Sequence, residues 1–256
     1  MIEKEKIFLG FKILDVPLRE VVAKISADRE IKPDCKIVVT PNVDHFSRLC
    51  GNKLLNDFSD TYQVADIILC DSRIIRILSY ITPNRLSNVV PGSDLTKELL
   101  QQKWMRSERV CVIGTSLEEF RLVATSFKLC EAFHYNPPMG FIHLESEVSK
   151  CIDFIFSCQP SYVFLAVGSP QQEVLAKKIK DLYILKENSI RYVFCVGASL
   201  DFLSGKTVRA PLWIQKLSLE WLHRALSEPR RMVPRYFKNA GWLFQFVFSV
   251  LFKKWR

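Results

Sequence analysis

Apolar residues along this chain fall into two alternating textures. Five short runs, Lys36–Thr40, Asp66–Leu69, Val110–Ile113, Tyr162–Val167 and Tyr192–Val196, are rich in aliphatic and aromatic residues without polar alternation. Runs of that kind suit β-strands covered on both faces. Between them, apolar residues recur at three- and four-residue intervals over Val43–Asp57, Arg73–Tyr80, Asp94–Arg106, Leu117–Leu129, Leu144–Ser157 and Gln171–Lys186. These segments predict helices. A strand around Ile7–Leu14 and a helix over Leu18–Asp28 precede the first β–α unit. Alternation of strand and helix predicts an α/β fold: a Rossmann-like, mostly parallel sheet with helices on both faces.

The texture changes after residue 205, which divides the chain into an α/β core over 1–205 and a helical appendage over 206–256. Pro211 suits the first turn of a helix running through Glu220, Trp221 and Leu222, and Pro229 and Pro234 then break or restart it. From Val233 onward, Tyr236, Phe237, Ala240, Leu243, Phe244, Val247 and Leu251 recur at helical spacing, in a stripe about 120° wide at 100° per residue. Arg231, Arg235, Lys238, Gln245, Ser249 and Lys253 fall opposite, and Trp242, Phe246 and Trp255 add aromatic bulk. A basic amphipathic helix of this composition suits the headgroup region of a membrane surface. A helix docked on the chain's own core, with a solvated basic face, fits the same pattern.

Charge sharpens that division. The net charge is +9, and residues 206–256 carry all of it, with 11 Lys and Arg against 2 Asp and Glu. An anionic partner for the C-terminus is expected: phospholipid, a phosphorylated substrate or nucleic acid. Nucleic acid offers no hydrocarbon to bury the apolar stripe and is set aside. The eight cysteines form no C-x-x-C pair, and several lie within apolar runs, a pattern of reduced thiols. The opening MIEKEK places acids ahead of any apolar run, which argues against a secretory leader, and no apolar stretch is long enough to span a bilayer. The expected location is therefore cytoplasmic, peripheral on the inner face of the cell membrane.

In a parallel α/β sheet, ligands bind beyond the carboxyl ends of the strands. Four predicted strands run there into small or polar residues: Thr40-Pro41-Asn42, Cys70-Asp71-Ser72, Val167-Gly168-Ser169-Pro170 and Val196-Gly197-Ala198-Ser199. Glycine lets backbone approach a ligand, and a following helix N-terminus offers N–H groups to phosphate. Each turn alone is equally well a structural strand-to-helix connection. Asp71, directly after an apolar run, suits a general base for a sugar hydroxyl and equally an N-cap for the next helix. No dinucleotide or P-loop glycine pattern occurs, no nucleophile elbow, no metal-ligand spacing among His45, His134, His143 and His223, and no Asp-x-Asp pair. Neither a metal nor another cofactor is expected.

Five stretches together resemble the WecG/TagA/CpsF family of bacterial glycosyltransferases: VVTPNVDHFSRL (38–49), ADIILCDS (65–72), VVPGSDLTKELL (89–100), VGSPQQE (167–173) and the long segment 196–236 with its RAP, LEW and EP-R elements. The resemblance implies inverting transfer of a hexose or N-acetylhexosamine, of N-acetylmannosamine type, from a UDP-sugar donor to an undecaprenyl-diphosphate-linked sugar acceptor in cell-surface polysaccharide synthesis. It implies Asp71 as the base, with Thr40 and Asn42 beside it. It also implies a substrate-binding set: Gly168, Pro170, Gln172 and Glu173 near the nucleotide, Gly197, Asp201 and Arg209, and diphosphate-binding Arg224 and Arg231. Inversion needs one base and a stabilised leaving group, and arginines can supply the latter without a metal. The chain departs from the family pattern at Ser72, where glycine is usual, and at Val89 and Pro234, where arginines are usual; Arg85 and Arg235 lie nearby. Those departures keep open a non-catalytic UDP-sugar-binding or scaffold paralogue. Self-association through the apolar tail, giving a homo-oligomer, also stays open.

Overall fold

The computed structural model describes residues 4–51, 56–185, 189–205, 210–211, 214 and 220–252. An antiparallel hairpin, β1 (Glu5–Phe8) and β2 (Phe11–Leu14), comes first. Six parallel strands follow: β3 (Lys36–Val39), β4 (Ile67–Ile68), β5 (Arg109–Gly114), β6 (Glu131–Tyr135), β7 (Tyr162–Ala166) and β8 (Tyr192–Cys195). They form one sheet in the order β4-β3-β8-β7-β5-β6.

The absence of polar alternation has a direct structural cause. Successive side chains on a strand point to opposite faces, and both faces are covered. Ile37, Val39, Val163, Leu165 and Val193 enter one apolar layer, while Val38, Tyr162, Phe164, Tyr192 and Phe194 enter the other. The second layer is closed by α1 (Leu18–Ala27), α5 (Gly92–Gln101), α6 (Leu117–Phe127) and α9 (Ser199–Leu203), through Val22, Leu95, Leu99, Val123 and Leu200. The first is closed by the hairpin with α2 (Val43–Gly51), α3 (Asn56–Val64), α4 (Arg73–Ser79), α7 (Glu145–Cys158) and α8 (Gln171–Tyr183). Beyond the core lie α10 (Glu220–Ser227) and α11 (Pro229–Leu251).

The predicted α/β architecture is therefore the observed one, with four local differences. The single N-terminal strand is a hairpin, because Leu9 and Gly10 both take positive φ, 52° and 84°, as a tight two-residue turn requires. β6 was not anticipated: EAFHY lies at the sheet edge, only partly buried, and lacks the apolar run that marks a central strand. The helix expected over Val43–Asp57 is described as α2, up to Gly51, and α3, which runs from Asn56 past the expected end to Val64, the four residues between lying outside the described part. Pro234 does not break the tail but lies inside α11. In the helix's second turn it removes a single backbone hydrogen bond, and Trp242 and Phe246 hold the helix to the core.

Candidate active site

β4, β3, β8 and β7 are consecutive neighbours, so their C-terminal turns share one rim of the sheet. Backbone hydrogen bonds draw those turns together: Leu69 N–H to Val39 O at 3.0 Å, Asp71 N–H to Pro41 O at 3.2 Å, and Val90 N–H to Cys70 O at 2.8 Å. The last brings the start of α5 against the end of β4. Gly92 is needed there, since a Cβ at that position would lie 2.8 Å from Thr40 Oγ1 and 3.4 Å from Ser199 Oγ.

Asp71 does not cap its own helix. Ser72 takes that role, its hydroxyl accepting the Ile75 N–H at 3.4 Å. The Asp71 carboxylate instead accepts the N–H of Gly92, the first residue of α5, at 2.9 Å, where a helix terminus favours negative charge. Asp71 is partly exposed. Burial pushes its carboxyl above the usual range; the Gly92 N–H, His45 and Asn42 pull it down, and Glu220 pushes it further up. The net direction is upward, toward a stronger base.

Asn42 sits where α2 begins. Its Oδ1 accepts the Asp44 N–H at 3.0 Å and lies 2.9 Å from His45 Nδ1. The other nitrogen of that ring, Nε2, is 3.3 Å from Glu173 Oε1. Gln172 Nε2 donates to the same oxygen at 2.9 Å, and Gln172 Oε1 accepts the Gly197 N–H at 2.7 Å. His45, Gln172 and Glu173 are all buried, Glu173 to 1 % exposure. A continuous polar chain thus runs from the β8 turn to Asn42, inside the rim.

Of the residues singled out from the sequence, the structure brings together Asp71, Asn42, Thr40, Gln172, Glu173 and Gly197. Gly168, with φ 77°, and Pro170, after a cis peptide bond, shape the neighbouring turn, where Arg48 Nη1 donates to Ser169 Oγ at 3.1 Å. Asp201 Oδ1 lies 3.3 Å from the Thr115 hydroxyl, in the turn after β5, the strand next to β7. Arg209 lies outside the described residues; Arg224 and Arg231 fall on α10 and α11, and their side chains lie outside the described part. Arg85, the neighbour of Val89, stands over the Tyr80 ring with its guanidinium 5.8 Å from the centroid. Among the described residues no cluster of three or more His, Cys, Asp or Glu is arranged to hold a metal. Sequence reasoning missed His45 and Glu220. The first carries a local signal, since a residue three places after a helix-capping Asn returns to that cap; Glu220 is brought in by tertiary packing alone.

The appendage reaches the same region. Arg235 of α11 donates to Asp44 Oδ2 at 2.6 Å, and Arg48 pairs with the same carboxylate. Trp242 and Phe246 are buried against the core, with the Phe8 and Phe246 rings 6.0 Å apart. The other side of α11 stays apolar and open, Phe237 being 78 % and Phe244 73 % exposed, with Phe248 and Leu251 beside them. The helix docks on the core, but through Trp242 and Phe246 on the side expected to be solvated, and the apolar stripe carries the exposed Phe237, Phe244 and Leu251. No helix among the described residues is long and apolar enough to cross a membrane.

A family model described as "Glycosyl transferase WecG/TagA/CpsF family" matches residues 6–256. The chain is 29 % identical over 189 residues to the N-acetylglucosaminyldiphosphoundecaprenol N-acetyl-beta-D-mannosaminyltransferase of Bacillus subtilis (strain 168), covering 70 % of each chain. It is 30 % identical over 181 residues to the protein of that name from Bacillus spizizenii, covering 67 % of this chain and 66 % of the relative. A Staphylococcus aureus (strain MRSA252) protein of the same name is 28 % identical over 176 residues, covering 66 % of this chain and 64 % of its own. The matches thus span about two thirds of these relatives' length.

Proposed function

The chain belongs to the WecG/TagA/CpsF glycosyl transferase family, and on that premise we propose that it transfers an N-acetylmannosamine-type sugar from a UDP-sugar to a polyprenyl-diphosphate-linked sugar, inverting the anomeric centre. The relatives' names support the acceptor class and the sugar type. The observation that carries the mechanism is Asp71: a carboxylate on the rim, freed from capping its own helix by Ser72 and held by the Gly92 N–H. A carboxylate can accept about four hydrogen bonds, so acceptor capacity remains beside the Gly92 N–H for a substrate hydroxyl. Asp71 takes the proton of the acceptor hydroxyl as its oxygen attacks the anomeric carbon. The bond from that carbon to the β-phosphate oxygen breaks, and UDP departs with the electron pair. Thr40 and Asn42 line the approach, the Gly168–Pro170 turn lies beside the nucleotide, and Arg209, Arg224 and Arg231 neutralise the diphosphates without a metal. The open apolar face of α11 rests on the lipid surface that carries the acceptor, at the inner face of the membrane.

The test is turnover of UDP-N-acetylmannosamine with a short-chain prenyl-diphosphate N-acetylglucosamine acceptor. Asp71→Asn is expected to lower kcat by roughly 10²–10⁴-fold, the range for loss of a general base, with UDP-sugar affinity retained. Unchanged turnover removes Asp71 from the role, and turnover abolished by a chelator removes the metal-free mechanism. Val89, together with the engagement of Arg85 by Tyr80, favours one second reading, a paralogue that binds UDP-sugar without transfer. Binding without turnover across a panel of UDP-sugars would select it.

A further inference from the structure

The core carries an open apolar surface of its own, apart from α11. Ile7 of β1, Ile77 of α4, and Tyr80 and Ile81 just beyond that helix are 56 %, 53 %, 51 % and 40 % exposed. The same helix turns Ile75 inward and packs Ile74 and Leu78 on the core. It is therefore apolar on its outer side as well, where an ordinary surface helix is polar. Hydrogen bonds gather these side chains into one patch. Leu86 N–H donates to Ser79 Oγ at 2.8 Å, folding the next loop back on α4, and Asn84 Nδ2 donates to Ile7 O at 3.0 Å, fixing that loop to the hairpin. Single exposed apolar residues are ordinary, but contiguous ones rimmed by polar groups mark a contact surface.

Charge identifies what this surface meets. Residues 72–93 hold Arg73, Arg76 and Arg85 and no Asp or Glu. Arg85 stands over the Tyr80 ring, and the exposed Lys12 lies opposite Ile7 across the hairpin, against Glu5 on the same face of β1. Isoleucines and a tyrosine within a collar of long cationic side chains suit anionic phospholipid, whose headgroups meet the cations while the aliphatic groups insert beneath them. The position agrees with the chemistry. α4 begins two residues after Asp71 and its seven residues extend about 10 Å. A membrane touching its far end thus lies close to the base, which must meet a sugar joined to lipid through two phosphates. The hairpin also connects this patch to the appendage, because Phe8 meets Phe246 of α11 on the inner side of β1 while Ile7 points outward.

We infer that α4 and the hairpin form a second membrane-contact surface, which seats the catalytic core directly on anionic lipid beside the base. The inference rests on the reading of the acceptor as lipid-linked, and it adds a support on the core to the one on α11.

The experiment uses the full chain with α11 intact and combines Ile7→Ser, Ile77→Ser and Ile81→Ser. Sedimentation with vesicles of phosphatidylglycerol and phosphatidylcholine is expected to weaken by on the order of 10-fold, from the lost insertion of three half-exposed side chains. In the wild type, amide hydrogen exchange over 77–86 is expected to slow on those vesicles. Turnover of UDP-N-acetylmannosamine separates seating from chemistry. The variant should match wild type on a short-chain prenyl-diphosphate N-acetylglucosamine acceptor in solution, and fall by about tenfold on a long-chain acceptor embedded in vesicles. Lys12→Gln with Arg85→Gln covers the case in which the triple variant does not fold. That pair is expected to weaken binding to the anionic vesicles by about fivefold per charge, with little change on phosphatidylcholine alone. Undiminished vesicle binding, exchange over 77–86 unmoved by lipid, or equal losses on both acceptors would overturn the inference. So would a lower mass in sedimentation velocity with vesicle binding intact, which assigns the patch to a second copy of the chain. Lack of wild-type turnover on either acceptor would instead remove the transferase reading and leave the vesicle and exchange results standing.

Discussion

Asp71 is balanced between opposing influences, and the balance sets a measurable pH. Burial and Glu220 raise its carboxyl; the Gly92 N–H, His45 and Asn42 lower it; the outcome is above the ordinary 3.8. A base is lost when protonated, so kcat/KM is expected to fall as pH drops through a value above 3.8. Glu220→Gln removes one of the two influences that raise it. Its acid limb is expected to move to lower pH in a profile of initial rates, and a limb unchanged by that substitution would show that α10 does not reach the base electrostatically. At this scale the sequence displayed the rim residues, because Asp71, Thr40 and Asn42 each follow an apolar run directly. What it left undecided was the direction of the carboxylate. Asp at a strand-to-helix junction is as good a cap as a base, and the structure gives the cap to the Ser72 hydroxyl, which accepts the Ile75 N–H. The position where the family usually carries glycine is thus the one that supplies the cap.

The hairpin and the segment leading into α5 are joined by one buried carboxylate, and the site depends on that joint. Asp15, at the end of β2, pairs with Lys6 at 2.7 Å and accepts the Ser87 N–H at 2.9 Å and the Asn88 N–H at 2.7 Å. The same loop continues through Val90 to Gly92, the residue that holds Asp71. Burial raises the Asp15 carboxyl, but the hydrogen bonds from Lys6, Ser87 and Asn88 outweigh it and hold it below 3.8. A depressed carboxyl contributes stability above its unfolded pKa and loses it as pH falls through the lower folded value. Asp15→Ala is therefore expected to cost about 1–3 kcal/mol at neutral pH, with the Tm difference from wild type shrinking below pH 3.8. A difference constant with pH would mean the charge plays no part. This joint was hidden in the sequence, where Ile7–Leu14 reads as one strand. The turn that folds it back is Leu-Gly, lacking the Asn or Asp that marks such turns. The central strands were legible for the opposite reason: each is buried on both faces and carries no polar position to blur it.

At the scale of the molecule, the charge asymmetry and the open apolar face belong to the same segment, and the proposed membrane role rests on both. Residues 206–256 hold the whole net charge of +9, and α11 turns Phe237, Phe244, Phe248 and Leu251 outward. Periodicity identified this helix but not its docking face, because Trp242 and Phe246 fall outside the apolar stripe, on the side that carries Arg235. Trp242 and Phe246, which the pattern left as added bulk, are the residues that dock. That division decides how the membrane role must be tested. Deleting the tail would strip Trp242 and Phe246 from the core and confound unfolding with lost binding, whereas the outward phenylalanines lie outside the core cluster, Phe248 packing on Phe244 and Phe252. Phe237→Ser with Phe244→Ser and Phe248→Ser is therefore expected to leave Tm within a few degrees. Sedimentation with vesicles containing anionic lipid should weaken by about tenfold per inserted ring, from 1.5–3 kcal/mol of burial each. Binding should also fall as salt rises, since the basic residues act through a screened field. Undiminished sedimentation of the triple variant would refute anchoring by this face. A fall in its oligomeric state by analytical ultracentrifugation, with vesicle binding unchanged, would assign the same phenylalanines to a second copy of the chain.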